Sequence, residues 1–186
     1  MTIEETLTMY GFSDEDVDYT SKMCRQEELT AKKFFLKEGD ISDRLAIVRS
    51  GLLRTFFYND NADEVTTHFH EPNSLIISID SFNNKVPAKE NIVVVDDCEL
   101  YTITLENWIR LYNDVPKWHD ICKTSGDHIS MKLLERTTEL QTMSATDRYR
   151  KFCKEHPLVY QKATLGQIAS YLGIDIATLS RIRKKV

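Results

Sequence analysis

Apolar positions follow three rhythms along this chain, and each change of rhythm marks a change of element. At Ser13 the run Ser-Asp-Glu-Asp places a hydroxyl ahead of three acids, which predicts an N-cap and the first turn of a helix. The apolar positions of that helix are sparse, so it is expected to lie on the surface of something larger. From Ala31 to Thr104 the rhythm shortens. The stretches KKFFLKEGD, LAIVRSGLLRTFFY, EVTTHFH and NIVVVDDCELYTI are rich in Val, Ile, Phe, Tyr and Thr. Gly39-Asp40, Ser50-Gly51 and Asn59-Asp60-Asn61 punctuate them. Short strands between such turns predict an all-β sandwich or barrel of about 75 residues.

At Leu105 the period lengthens again. Thr104 is placed to cap a short helix, and Pro116 fits the first turn of a long one. Trp118, Cys122, Ser125, Ile129, Leu133 and Leu140 lie mostly three or four residues apart, one apolar stripe along about seven turns. Such a stripe needs a partner. Its own barrel is one; the same helix of a second subunit, meeting it as in a coiled-coil seam, is the other and the one expected. Ser144 to Asp147 then reads as a capping box opening a helix to about Glu155, ended by His156-Pro157. The expected division is therefore 1–115 for the barrel with its N-terminal helix, 116–141 for the dimerisation helix, and 142–186 for a C-terminal domain.

That last segment carries the most specific pattern, TLGQIASYLGIDIATLSRIRKK from Thr164 to Lys185. Thr164 and Gln167 form a capping box, and Ile168, Ala169 and Leu172 are spaced to face inward. Gly173 supplies the positive φ of a tight turn. Asp175 caps a second helix whose inward residues are Leu179 and Ile182. Two short helices around a glycine turn, the second rich in arginine, predict a helix-turn-helix of winged-helix-like type. Arg181 is the expected base reader, because arginine pairs bidentately with guanine, and Ile176 and Ala177 are placed to touch thymine methyls. Thr164, Gln167, Thr178 and Ser180 are expected to anchor phosphates, with Arg183 and Lys184 adding charge.

Charge supports that reading. The net charge is −5, yet Thr142 to Val186 holds nine Lys/Arg against three Asp/Glu, a balance of +6, and the rest carries −11. An acidic body with a basic C-terminal segment points to a polyanion as partner, here double-stranded DNA. The N-terminus shows no signal-peptide pattern and no apolar run is long enough for a membrane span, so a cytoplasmic protein is expected. Four scattered cysteines, Cys24, Cys98, Cys122 and Cys153, suit reduced thiols rather than a zinc or iron–sulfur site.

Taken in order, a helix, a β-barrel, a long helix and a C-terminal helix-turn-helix resemble the Crp/Fnr family, the cyclic-AMP receptor protein-like bacterial transcription regulators. KEGD (Lys37 to Asp40) is similar to the glycine turn early in the family's barrel, and IVRSGLLRTFFY to the strand-turn-strand that follows. ASYLGIDIATLSRIRKK resembles the recognition motif of a short branch of the family that ends right after the recognition helix. The resemblance implies an α+β fold with a cyclic-nucleotide-binding-like jelly roll. It also implies a homodimer on a two-fold symmetric operator, and RNA polymerase as a partner.

Family members that bind cyclic nucleotides hold the cyclic phosphate with a cassette of Gly-Glu followed by Arg-Ser or Arg-Thr. Aligned through Phe82 and Cys98-Glu99-Leu100, Gly-Glu falls on Ile77-Ser78 and Arg-Ser on Ala88-Lys89. Every anchor is replaced, and Leu133 and Leu134, near the place of a purine base, offer no polar readout. Asp80 and Lys89 are the remaining charged candidates, Lys89 as a point charge without arginine's fork. Cyclic nucleotide is thus not expected as a cofactor; another small molecule, or none, is. One alternative stays open, a metal-dependent cupin-like barrel enzyme or sensor: His68 and His70, two residues apart on a strand, resemble the H-x-H metal site of cupins, while the remaining candidates, His119 and His128, fall on the predicted long helix rather than on the later strand that a cupin uses.

Overall fold

Two helices open the chain where the sequence pattern announced one. The computed structural model describes residues 2–185. Helix α1 (Ile3–Met9) starts at a reciprocal capping box in which Thr2 accepts from the Glu5 amide and the Glu5 carboxylate accepts from the Thr2 amide. Helix α2 (Asp14–Met23) starts at Ser13, as expected. The pair is not a surface appendage. Ile3, Leu7, Phe12 and Val17 are buried in a first core with Leu45, Ile103, Leu111 and Trp118. Few apolar residues suffice because each helix contributes one narrow stripe to a shared core.

Six strands follow: β1 (Arg25–Leu29), β2 (Phe34–Leu36), β3 (Arg44–Tyr58), β4 (Glu64–His70), β5 (Leu75–Ile76) and β6 (Asn91–Thr104). All pairings are antiparallel, in the order β1-β6-β3-β4, with β2 also on β6 and β5 on β3. Strand β1, RQEEL, escaped the sequence pattern because it is an edge strand with a mostly solvated, polar surface. A short helix, α3 (Ile79–Asn84), is inserted between β5 and β6.

The spine of the molecule is β3. Before Gly51 its even residues Ala46 and Val48 point into the barrel core, while Leu45 serves the first core. After Gly51 the parity reverses: Leu53 points into the barrel, and Leu52 points outward to a third core made by the C-terminal helices. The register against β6 shifts at Val48/Ser50, Ser50/Leu52 and Leu52/Leu53, and Gly51 has φ +89°. An unpaired extra residue in one strand reverses its alternation, which is what a bulge does. Strand β6 keeps one parity throughout, with Ile92, Val94, Cys98 and Leu100 all inward.

Beyond the sheet come α4 (Leu105–Asp114), capped by Thr104, and α5 (Lys117–Thr142), preceded by Pro116. The stripe read along α5 divides. Trp118 is buried among Phe12 and Trp108 in the first core, whereas Ile129, Leu133, Leu134 and Leu140 stay exposed. Four more helices follow: α6 (Ala145–Glu155), α7 (Pro157–Lys162), α8 (Leu165–Leu172) and α9 (Ile176–Arg183). At α6 the Ser144 hydroxyl accepts from the Asp147 amide but itself donates to the Asp147 carboxylate. Only one half of a capping box forms, because aspartate is a methylene shorter than the glutamate that reaches back to the N-cap amide. The Pro157 that ends α6 also starts α7, at the first helical position that proline tolerates.

Candidate nucleic-acid interface and barrel interior

The C-terminal helices build one surface and bury the other. Thr164 accepts from the Gln167 amide at 3.3 Å, and the Gln167 side-chain oxygen accepts from the Thr164 amide at 2.9 Å. Ile168, Ala169, Leu172, Leu179 and Ile182 are buried with Tyr149, Phe152 and Val159. Gly173 turns the chain with φ +67°, and the Ile174 amide donates back to the Ala169 carbonyl, closing α8 with a Schellman-type bond. A side chain at Gly173 would also meet Leu140 of α5 at 3.1 Å. The outward face of α9 is left for a partner: Ile176, Ala177, Arg181, Arg183 and Lys184 are exposed, and Thr178 and Ser180 half-buried. The Arg183 guanidinium lies 5.7 Å from the centre of the Tyr160 ring.

This helical unit is fastened to the barrel by contacts that no sequence pattern marked. Strand β4 is a sheet edge, so its outer backbone groups need partners. The Ser170 hydroxyl on α8 accepts from the Thr66 amide at 2.8 Å and donates to the Glu64 carbonyl at 3.0 Å, standing in for a neighbouring strand. Arg136 on α5 donates to the Thr67 carbonyl at 3.0 Å and to the Tyr171 carbonyl at 2.7 Å, with its guanidinium 4.1 Å from the Tyr171 ring centre. His156 meets Glu71 at 2.7 Å, and Lys162 meets Asp96 at 3.1 Å. On the barrel side, buried Arg54 hydrogen-bonds Thr66 and pairs with Glu64, so the edge is braced from within.

In the barrel, the residues at the cassette positions form a closed wall. Ile77 packs against the first core, Ser78 is buried ahead of α3 without a side-chain capping bond, and Ala88 is buried in the barrel core. The backbone of Ala88 pairs both ways with the glycine turn, Gly39 N–H to Ala88 C=O and Ala88 N–H to Asp40 C=O, each 2.8 Å. Ser81, on α3, accepts from the Ser42 amide and donates to the Val86 carbonyl. Asp80 and Lys89 are exposed, and Asp80 accepts from Asn84. At position 88 the side chain is an alanine's, which offers a phosphate no guanidinium. A cavity of about 490 Å³ lies beside this wall instead, lined by Phe34 to Lys37 and Asp40 to Arg44.

His68 and His70 do share a face of β4, with ring centres 4.8 Å apart. His70 is fully inside and hydrogen-bonds the Thr55 hydroxyl at 2.8 Å. His119 lies instead on the Tyr112 carbonyl, and among the described residues no group of three or more metal-ligating side chains converges. Burial, then the neighbouring His68, lowers the His70 pKa to about 3. His70 is therefore neutral in the folded protein and takes up a proton on unfolding below pH ~6.5. The unfolded state binds more protons there, so stability is full above that pH and falls as the pH drops toward 3. Denaturant unfolding at pH 7 and pH 5 is expected to differ by about 1.4 kcal/mol per unit below ~6.5 from this residue. A His70→Gln chain should lose that part of the slope; an unchanged slope would contradict it.

A family model described as the cyclic nucleotide-binding domain matches residues 26–114. The transcriptional activator Anr of Pseudomonas protegens is 27% identical over 184 residues, covering 90% of this chain and 73% of Anr. Anr of Pseudomonas aeruginosa is 26% identical with the same coverage. The similarity is thus to regulators of the Crp/Fnr type. Solved structures agree on the fold. The c-di-GMP-responsive regulator CLP of Xanthomonas campestris superposes with a TM-score of 0.71 at 17% identity, over 93% of this chain and 91% of CLP. A Crp/Fnr-family regulator from Eubacterium rectale gives 0.73 at 16% identity, over 94% and 83%. The relatives are transcription regulators rather than enzymes.

Proposed function

We propose that this protein is a DNA-binding transcription regulator that reads duplex DNA with α9 as a homodimer, without holding a cyclic nucleotide through the usual cassette. The observation that carries this reading is the exposed, arginine-bearing face of α9 on a helix-turn-helix whose inner face is fully packed. Base contacts fall to Arg181, Ile176 and Ala177. The α8 cap residues Thr164 and Gln167, together with Ser180, Arg183 and Lys184, provide backbone contacts. Ile129, Leu133, Leu134 and Leu140, between 37% and 70% exposed on one helix, support pairing with the same helix of a second copy. A two-fold symmetric operator follows from such pairing, with half-sites about one DNA turn apart. By resemblance to Crp/Fnr regulators, RNA polymerase is the expected protein partner.

The test is selection of bound sites from random duplex DNA, followed by titration of Arg181→Ala. The variant is expected to lose roughly 1–3 kcal/mol of preference at one base position of each half-site. Full sequence preference in Arg181→Ala would refute the contact, and binding insensitive to salt would refute the interface itself. Calorimetric titration with cyclic AMP and cyclic GMP is expected to give no saturable heat. Micromolar binding of either would mean that the wall at Ile77, Ser78 and Ala88 opens.

A further inference from the structure

Among the described helices, α9 is the one capped by a carboxylate; the other side-chain caps are the hydroxyls of Thr2, Ser13, Thr104, Ser144 and Thr164. A serine would cap α9 about as well as an aspartate. On a helix that meets phosphates, a negative charge at the N-cap is a disadvantage, because it opposes the approach of DNA. The geometry around Asp175 offers a return for it. Its two oxygens do different work. Oδ1 accepts from the Thr178 amide at 2.7 Å, which is the cap, and Oδ2 accepts from the Thr178 hydroxyl at 2.7 Å. A hydroxyl cap has no second oxygen for that bond.

Thr178 has one hydroxyl proton, and it is committed to Asp175. Its oxygen can then only accept, and it accepts from Arg181 Nη2 at 3.0 Å. Arg181 Nε donates to the Ala177 carbonyl at 3.3 Å. These two bonds lay the guanidinium back over residues 177–178, at the end of α9 that a helix-turn-helix inserts into the major groove. They use two of the five guanidinium N–H donors, leaving one N–H on Nη2 and both on Nη1 outside the relay. Without the carboxylate, the Thr178 proton could turn toward Arg181 or solvent, and the guanidinium would lose its fixed acceptor.

We propose that Asp175 and Thr178 form a positioning relay that holds Arg181 in its base-reading pose before DNA arrives, so that Asp175 sets operator discrimination as well as capping α9. The inference rests on the DNA-binding reading above, and it assigns the Thr178 hydroxyl to Arg181 rather than to a phosphate. Its energetic basis is preorganisation: a long side chain already ordered in the free protein pays less on binding, an effect of about 2- to 10-fold for one such side chain.

The experiment compares the full chain with Thr178→Val, which keeps shape and cap, and with Asp175→Ser, which keeps the cap but removes Oδ2. Two quantities are read: the order of the Arg181 Nε–H by nitrogen-15 relaxation in the free protein, and the ratio of affinities for the selected operator and for random duplex. In the wild type the Nε–H is expected to be ordered. Both variants should keep their melting temperature within a few degrees, lose that order, and lose about 2- to 10-fold in the affinity ratio. Asp175→Ser alone should also bind random DNA more tightly, having shed a negative charge. An Arg181 Nε–H as mobile in the wild type as in the variants overturns the relay, as does an unchanged ratio once order is lost. If Asp175→Ser unfolds α9, Thr178→Val decides alone. If the wild type binds no duplex, the proposed function falls, and the relaxation measurement still judges the relay.

Discussion

Gly51→Ala is expected to leave little or no folded protein at 25 °C. An alanine Cβ at this position would sit 2.2 Å from the Asp97 carbonyl oxygen and 2.7 Å from the Cys98 Cα and Sγ. The first two are backbone atoms of the strand paired alongside, so no side chain can swing away to make room. The residue also sits at φ +89°, where a Cβ costs roughly 1–3 kcal/mol before any clash. Relief requires β3 and β6 to separate at the point where the parity of β3 reverses, just before Leu52 and Leu53, which are buried on opposite faces of the sheet. Several kcal/mol against a typical total of about 5–15 is enough to unfold a domain of this size. Urea unfolding followed by tryptophan fluorescence would measure it. A variant within about 1 kcal/mol of the wild type would mean that the close approach of the two backbones is not maintained in solution.

Arg136→Ala should have the next largest effect, and a more local one. It removes two charge-assisted hydrogen bonds, to carbonyls on β4 and α8, and the stack on Tyr171. Bonds from charged donors contribute roughly 1.5–3 kcal/mol each, discounted here because the residue is only half-buried. A net loss of about 2–4 kcal/mol is expected. Hydrogen exchange should accelerate in α8 and β4 while the barrel core around Val48 and Leu100 stays protected. Arg136→Lys should recover little, since a single ammonium cannot bridge two carbonyls that the planar fork spans. Uniform exchange across the chain, or none changed, would show that this residue does not fasten the two parts together.

The parts of this architecture that repeat were readable in the sequence, and the parts that depend on one neighbour were not. Long strands such as β6 declare themselves by β-branched runs, and α8 and α9 by caps at Thr164 and Asp175 with a glycine between. Strand β1 and helix α7 lack such signals: one is a polar edge, the other a six-residue helix opening on a proline that also reads as a stop. At the candidate site, the exposure of Arg181 and Arg183 follows from helical spacing. The fastening residues Arg136 and Ser170 do not, because an arginine and a serine on a polar helix face look the same whether they meet water or a strand edge. The cassette reading rests on residue identity alone, with Ile77 and Ala88 aligned where glycine and arginine would stand. The division of the α5 stripe was not. Nothing in a 3.6-residue period says that Trp118 is claimed by Phe12 and Trp108 while Leu133 is left outside.

The outward turn of Leu52 has a consequence for modularity. Helix-turn-helix motifs are often treated as cassettes that can be cut out and grafted elsewhere. Here Leu52 and Phe69 of the barrel are buried within the same cluster as Leu172 and Leu179. Excising residues 142–186 would strip the recognition helices of part of their interior and expose an apolar patch on the barrel they left. Swapping the DNA-reading unit between relatives would therefore need the donor's counterparts of Leu52, Phe69 and Ser170 to be matched together, as one heritable block spread over distant parts of the sequence.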